Sequence, residues 1–184
     1  EHKAIYLGDY GKWLYHKKEY NKAIAIAQKD LAYIQNHFSK DSCLILEKYY
    51  LLSYYLYKTQ REREVISLLQ NAELNLNSHC KYYVKCLTTL AKCYQNLGNY
   101  YKTITYYQYA LNVLEPTAKS KEKIKYAINI SQAYNELGGK SNIEKGRHYL
   151  LFADSLSQKT AFNYSTAYLI NTALGRSYNF KETL

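Results

Sequence analysis

The sequence predicts an all-α fold made of antiparallel helix pairs, and three observations support this prediction. The 184 residues include one Pro and seven Gly, which are too few chain breakers for a sandwich or barrel of short strands. Apolar residues make up 47% of the chain, enough to bury a continuous core without disulfides or metal ions. A pattern of small and large apolar residues also returns about every 40 residues, as expected for a helical repeat array.

Helical periodicity runs through the whole chain and predicts nine helices, that is, four pairs and one further helix. In each pair the first helix carries a small residue where the two helices cross, because a larger side chain would hold the helix axes apart. These crossing residues are Gly11, Ser53, Ala91, Ser131 and Asn171. The predicted helices lie near residues 3–17, 19–37, 43–59, 61–76, 79–97, 99–115, 119–137, 142–157 and 159–178.

The most regular copy of the pattern covers residues 87–116. Its first helix carries Leu90, Ala91 and Tyr94, a Gly-Asn-Tyr turn follows at residues 98–100, and Pro116 comes after the second helix. This order resembles the tetratricopeptide repeat (TPR). The resemblance implies a right-handed α-α superhelix, a TPR-like solenoid, that extends as a single domain over residues 1–184. The long period is similar to that of the TPR domains of Gram-positive peptide-pheromone receptors and of kinesin light chain.

In TPR domains the first helix of each pair lines the concave face, so the resemblance implies a peptide-binding groove on these helices. Amide side chains can bond both donors and acceptors of a peptide backbone, Tyr offers rigid contact area, and Lys attracts carboxylates. The alternative is that these positions are solvated helix faces in a Tyr-rich protein. The matching positions are Gly8, Lys12, Tyr15 and His16; Tyr50, Tyr54, Tyr57 and Lys58; Thr88, Thr89, Lys92, Gln95 and Asn96; and Ile128, Asn129, Gln132 and Asn135.

The four cysteines show neither a CxxC pair nor even spacing, so we expect reduced thiols in the core rather than a disulfide framework. Reduced thiols favour a cytoplasmic protein. An extracytoplasmic sensor domain is the alternative if a signal peptide was removed. Cys86 and Cys93 are too far apart along one helix to share a metal ion. Because no set of residues matches a catalytic or cofactor site, we expect no enzyme activity, no metal and no cofactor.

The formal net charge of +10 raises the question of nucleic-acid binding. The lysines are scattered over nearly every helix rather than clustered, so we do not expect this segment to bind nucleic acid directly. We expect no membrane association either, because no apolar run approaches the roughly 20 residues of a membrane span. The chain starts at Glu1 and contains no Met, from which we expect a piece of a longer protein whose last helix pair is cut short.

The resemblance implies a protein- or peptide-binding module, and its long repeats favour the sensory or interaction domain of a bacterial regulatory protein. That protein would be a transcriptional regulator or a sensor kinase. One alternative is a static assembly scaffold or a self-associating module, which would form a homodimer without a peptide ligand. A regulatory domain that docks on a catalytic partner is also compatible with the sequence.

Overall fold

The computed structural model of the protein describes residues 2–38, 40–72, 80–114, 120–158 and 170. These ranges contain eight α-helices and no strands, as the sequence predicts. We call the odd-numbered helices first helices and the even-numbered ones second helices. They are α1 (His2–His16), α2 (Tyr20–His37), α3 (Ser42–Lys58), α4 (Glu62–Asn71), α5 (Lys81–Asn96), α6 (Tyr100–Val113), α7 (Ser120–Leu137) and α8 (Lys140–Gln158).

The chain divides into two compact units. Unit 1 is Glu1–Leu97, with α1 to α5, and unit 2 is Gly98–Leu184, with α6 to α8. The single domain over residues 1–184 stays a prediction. Of the predicted ninth helix the structure describes Ile170 alone, which is buried against Ile124 and Ala153 in unit 2. Asn171 lies outside the described residues.

Four of the small crossing residues are buried, as predicted. A Cβ on Gly11 would lie 3.5 Å from Ile26 Cγ2 and 3.8 Å from the Ala23 carbonyl oxygen, both on α2. The side chains of Ser53 and Ala91 are fully buried. The fourth, Ser131 in unit 2, is 1% exposed. On α1 the small residue therefore lets α2 pack closely.

Side-chain caps begin two of the helices. Asp41 accepts a hydrogen bond from the Leu44 amide at 2.9 Å before α3, and Asn99 accepts one from the Lys102 amide at 3.2 Å before α6. Each cap satisfies an amide that has no partner within its helix, which stabilises the helix by about 1 kcal/mol. The turn before Asn99 uses Gly98 with φ of +72°, where a side chain would be strained.

The last described helix starts earlier than predicted. α8 begins at Lys140 rather than near residue 142. Two consecutive glycines, Gly138 and Gly139, adopt φ of +67° and +79° and turn the chain directly before the helix. The side chain of Asn142 lies inside the helix and donates to the Gly138 carbonyl oxygen at 2.9 Å.

The expectation that the cysteines are all reduced is wrong. Cys43 in the first turn of α3 forms a disulfide with Cys80, the residue before α5, with Cα atoms 5.5 Å apart. The two cysteines are 37 residues apart, close to one repeat, so they occupy similar positions on successive first helices of unit 1. The disulfide removes the argument for a cytoplasmic setting, because reducing compartments rarely retain such bonds.

Candidate functional site

Tyrosine rings from the three first helices of unit 1 form a continuous row. Tyr15 at the end of α1 lies against Tyr54 on α3, with ring centroids 5.6 Å apart. Tyr54 lies 6.2 Å from Tyr50, one turn earlier on α3, and Tyr50 lies 5.9 Å from Tyr82 on α5. All four rings are half-buried, and aromatic pairs at these separations attract each other. The row therefore links α1, α3 and α5 and is accessible to a ligand along its length.

Exposed lysines lie over these rings. Lys58 Nζ is 5.6 Å from the centroid of Tyr54, and Lys85 Nζ is 5.1 Å from the centroids of both Tyr50 and Tyr82. Such cation–π contacts are each worth about 0.5–1 kcal/mol at exposed sites. We call this set the tyrosine–lysine surface; it consists of Tyr15, Tyr50, Tyr54, Tyr82, Lys58, Lys81 and Lys85, the ammonium of Lys81 lying 5.1 Å from the Tyr82 centroid.

The charge of the tyrosine–lysine surface is not balanced by its neighbours. Within the described residues, no carboxylate forms an ion pair with Lys58, Lys81 or Lys85. The acidic residue beside this surface is Glu47, whose carboxylate accepts a hydrogen bond from the Tyr82 hydroxyl. The surface therefore has a net positive charge.

Three phenol groups of this surface, those of Tyr15, Tyr50 and Tyr82, have raised pKa values. Burial, together with a hydrogen bond to Tyr54, raises the pKa of Tyr15 to about 12. Burial also raises the pKa of Tyr50 above its ordinary value, and burial together with Glu47 raises the pKa of Tyr82. The Tyr50 hydroxyl can therefore donate a hydrogen bond to a ligand, whereas the protons of the Tyr15 and Tyr82 hydroxyls are engaged by Tyr54 and Glu47.

A buried ion pair supports α3 below this surface. Lys48 Nζ on α3 lies 2.9 Å from Asp30 Oδ2 on α2, and the two side chains are 10% and 1% exposed. Gly8 of α1, which sequence matching places in the groove, is instead buried over this pair, where a Cβ would lie 3.3 Å from Lys48 Nζ. Burial raises the pKa of Asp30 even though Lys48 acts to lower it. The pair thus joins α2 and α3, with α1 packed over it at Gly8, at a cost in desolvation.

The other predicted groove residues at the ends of α1 and α3 are accessible. Lys12 is exposed and pairs with Asp9 at 3.2 Å. The exposed His16 ring lies edge-on to Tyr15 at 6.1 Å. Tyr57 is half-buried, and the Lys92 ammonium of α5 lies 6.0 Å from its centroid. Tyr57 and Lys92 thus form a second Tyr–Lys contact between α3 and α5.

The remaining predicted residues of α5 interact with their own unit. Thr88 is buried, and its hydroxyl donates to the Lys85 carbonyl oxygen at 3.0 Å; Thr89 does the same at 2.8 Å. Gln95 is half-buried, and the exposed Asn96 donates to Glu62 Oε1 on α4 at 2.9 Å. The two threonine hydroxyls are therefore engaged within their own helix.

The first helix of unit 2 presents a different surface. On α7 Asn129 is half-buried, and Gln132 and Asn135 are exposed. The fourth predicted residue, Ile128, packs against the core of unit 2. The ring of Tyr134 stacks on Tyr149 of α8, with centroids 6.1 Å apart, so that the aromatic contact is made within the helix pair.

Sequence matching missed part of the tyrosine–lysine surface. Lys81, Tyr82 and Lys85 lie two to three turns before Ala91, outside the positions matched to the TPR groove. Lys81 and Lys85 lie on the same face of α5 as Thr88 and Lys92, because these residues are three or four positions apart. Extending the matched face toward the start of α5 would have included them.

Nothing in the described part of the chain points to catalysis. The free thiols of Cys86 and Cys93 are buried, and burial raises the pKa of each to about 12, which keeps them protonated and unreactive. Among the described residues, no group of three His, Cys, Asp or Glu side chains could hold a metal ion. None of the described helices has the length and apolar character needed to cross a membrane.

Comparisons with known proteins identify structural relatives. No protein-family model and no curated protein sequence matches the chain. A putative kinesin light chain of nearly identical TPR-like repeats from Podosopora anserina is similar over 98% of this chain and 88% of its own, with a TM-score of 0.76 and 14% sequence identity. BtubC (BKLC) from P. vanneervenii is similar over 92% of this chain and 69% of its own, with a TM-score of 0.77 and 15% identity.

A more distant match is the MamA protein, with a TM-score of 0.51 and 18% identity over 87% of this chain and 96% of its own. At such low identities the likeness establishes the fold alone. The solved structures therefore support the helical-repeat arrangement expected from residues 87–116.

Proposed function

Because the chain has the TPR-like helical-repeat fold, we propose that it is a protein-binding module without catalytic activity, which binds an extended peptide on the tyrosine–lysine surface of unit 1. Solenoids present the exposed faces of successive helices as one binding surface. Here the ring row from Tyr15 to Tyr82 crosses three such helices.

The observation that carries the proposal is the half-buried state of these rings. Partly buried tyrosines supply large contact area at low entropic cost, and such residues dominate binding energy at protein interfaces. Contacts with Tyr15 and Tyr50 already fix the Tyr54 ring, so a ligand would not need to order it. This preorganisation favours binding.

We further propose that the binding module belongs to a bacterial regulatory protein, a transcriptional regulator or a sensor kinase, in which peptide binding alters an attached output domain. The support for this finer assignment is the long repeat period, which resembles that of peptide-pheromone receptors. The sequence flanking this chain in the full-length gene product tests it directly. A DNA-binding or kinase domain in the same polypeptide is the expected result, and a polypeptide of repeats alone would contradict it.

Selection from a random displayed peptide library on the immobilised chain tests peptide binding. Selected peptides should bind the wild-type chain and lose at least about tenfold in affinity with Tyr54→Leu, because an interface tyrosine contributes about 2 kcal/mol. Tyr101→Leu on α6 is the matched control, since Tyr101 is 70% exposed and lies outside the surface. Failure to select any binding peptide, or equal losses in both variants, would contradict the proposal.

One observation favours the alternative of a self-associating module. Tyr6, Tyr10 and Trp13 form an exposed stacked row on α1, with centroids 6.0 and 5.9 Å apart, and Trp13 is 52% exposed. Exposed aromatic rows of this kind suit an interface between two copies of a chain. Light scattering of the wild-type chain and of Trp13→Glu distinguishes the alternatives. A dimer that dissociates in the variant supports self-association, and a wild-type monomer contradicts it.

A further inference from the structure

We infer that the peptide recognised by the tyrosine–lysine surface is acidic, with carboxylates at alternate positions of an extended strand. This inference rests on the proposed peptide-binding function and names the chemistry of the ligand. It follows from three features of the surface, namely its donors, its unbalanced charge and the spacing of its rings.

The surface offers mainly hydrogen-bond donors. Each lysine ammonium has three N–H groups and no acceptor, and the half-buried Tyr50 hydroxyl, whose pKa burial raises, adds a further donor. An ammonium that contacts a ring through one side can still donate to a ligand from the other. Carboxylates are the peptide groups that accept such bonds most strongly.

No carboxylate of the described residues forms an ion pair with these lysines. Among the described residues Lys58, Lys81 and Lys85 contact aromatic rings rather than acidic side chains, whereas Glu47 is engaged by the Tyr82 hydroxyl. An incoming carboxylate would therefore not have to displace an existing ion pair. Charge complementarity of this kind favours acidic partners and rejects basic ones.

The ring spacing sets the register of the ligand. The ring centroids of Tyr54 and Tyr50 are 6.2 Å apart. The ammonium of Lys58 lies over the first ring and that of Lys85 over the second. This separation is close to the distance of about 6.6 Å between alternate residues of an extended chain. Side chains at alternate positions also point to the same side of a strand. A strand along α3 would therefore place alternate side chains over Tyr54 and Tyr50, each of which has a lysine ammonium within 5.6 Å of its ring centroid.

A single-stranded nucleic acid fits the surface less well, although it too combines negative charge with aromatic contacts. Base stacking needs an open ring face. The Tyr54 ring is tilted 52° to Tyr15 and 42° to Tyr50, and Lys58 covers one of its sides. Tyr50 is tilted 35° to Tyr82, with Lys85 over both rings. A stacked base would therefore compete with the lysine ammonium groups for the faces of these rings.

The test compares labelled peptides by fluorescence anisotropy on the whole chain. The probes are short peptides selected from the displayed library, remade with Glu at alternate positions, with Glu at adjacent positions, or with Gln in place of every Glu. The alternate-Glu form should bind at least about tenfold more tightly than the Gln form, which corresponds to about 1.4 kcal/mol. The adjacent-Glu form should bind with intermediate affinity because its two carboxylates point to opposite sides.

The double variant Lys58→Gln/Lys85→Gln should bind the Glu and Gln forms equally weakly. The matched control is Lys121→Gln/Lys125→Gln, which removes two exposed charges from α7 and should retain the preference for Glu. Thermal unfolding of each variant checks that the fold is intact. The inference would be overturned if Lys121→Gln/Lys125→Gln lost the preference for Glu and Lys58→Gln/Lys85→Gln retained it.

The outcomes separate this inference from the function on which it rests. If the Gln form binds as tightly as the alternate-Glu form, the acidic ligand is ruled out while peptide binding stands. If the library yields no binding peptide at all, the proposed function itself fails. If a uridine oligonucleotide displaces the labelled peptide at equal or lower concentration, the surface recognises nucleic acid and the inference is overturned.

Discussion

On α3 and α5 of unit 1, tyrosine rings face each other across neighbouring first helices, whereas on α7 of unit 2 the matching groove positions carry the amides Asn129, Gln132 and Asn135. Of the two aromatic rings of α7, Tyr134 packs on Tyr149 of α8 and Tyr126 packs on Tyr107 of α6. Both regions keep a small buried crossing residue, Ala91 in one and Ser131 in the other. The repeat thus constrains the buried crossing but leaves the exposed positions of each first helix free to differ. Comparing the two regions separates what the fold requires from what binding requires.

The largest expected effect comes from disturbing a crossing residue beneath the tyrosine–lysine surface. Ala91→Arg would bury an unpaired charge at a fully buried position and should destabilise unit 1 by more than about 5 kcal/mol. Hydrogen exchange should show loss of protection in α5 and neighbouring helices. Ala25→Arg, at an exposed position of α2, is the control. A cooperative melt of Ala91→Arg unchanged from that of the wild-type chain would contradict the helix register assigned here.

A second large effect is expected for the buried ion pair, which is found in unit 1. Lys48→Met leaves Asp30 buried without its partner and should cost about 3–5 kcal/mol at neutral pH. Lys29→Met, at an exposed position of α2, should change stability by less than about 0.5 kcal/mol.

The pH dependence of the Lys48→Met variant follows from the pKa of Asp30. Burial raises that pKa and Lys48 opposes the shift, so the substitution should raise it further. A raised folded pKa means that protonated Asp30 favours the fold. The associated stability is present below the ordinary pKa and is lost as pH rises through the folded value. The deficit of the variant should therefore shrink on acidification, and a deficit that grows in denaturant melts between neutral and acidic pH would contradict this account.

The disulfide between α3 and α5 should contribute an intermediate amount. Removing it with Cys43→Ser/Cys80→Ser should lower the free energy of unfolding by about 2–4 kcal/mol, because the bond closes a loop of 37 residues. A thiol reductant should shift the melt of the wild-type chain by the same amount and leave the double variant unchanged. Equal stability of the oxidised and reduced wild-type chain would show that the bond does not constrain unit 1.

The smallest expected change in stability comes from replacing the serines at two matching crossing positions, Ser53 and Ser131. Ser53 donates to the Tyr50 carbonyl oxygen at 2.8 Å, whereas the buried Ser131 hydroxyl has no partner among the described residues. Ser53→Ala should cost about 1 kcal/mol, while Ser131→Ala should be neutral or stabilising, since it removes an unsatisfied polar group. Denaturant titrations of the two variants measure the difference. A larger loss for Ser131→Ala would reverse the expected order.

The helices and the buried small residues of the first helices could be predicted from the sequence, because a period near 40 residues repeats the small residue of each first helix. The disulfide could not be predicted from local cysteine motifs, because Cys43 and Cys80 come together only through the stacking of successive repeats. The buried pair of Asp30 and Lys48 was also missed, since charged residues in helical patterns are expected on the surface.

The candidate site was predicted in part. Tyr15, Tyr50 and Tyr54 were placed on the exposed faces of α1 and α3, and the structure brings their rings together. Tyr82 and Lys85 were not expected, because sequence matching gives the position of a residue within a repeat but not how far a surface extends along the helix. Contact between side chains of different repeats depends on the packing of whole helices.

The most direct test of the central claim is hydrogen exchange, read by mass spectrometry, of the chain with and without a library-selected acidic peptide. We expect increased protection in α3 and α5 around Tyr50, Tyr54 and Tyr82, with no change in α7 around Asn129 and Gln132. The increase should disappear in Lys58→Gln/Lys85→Gln at the same peptide concentration. Protection confined to α7, with α3 and α5 unaffected, would contradict the assignment of binding to the tyrosine–lysine surface.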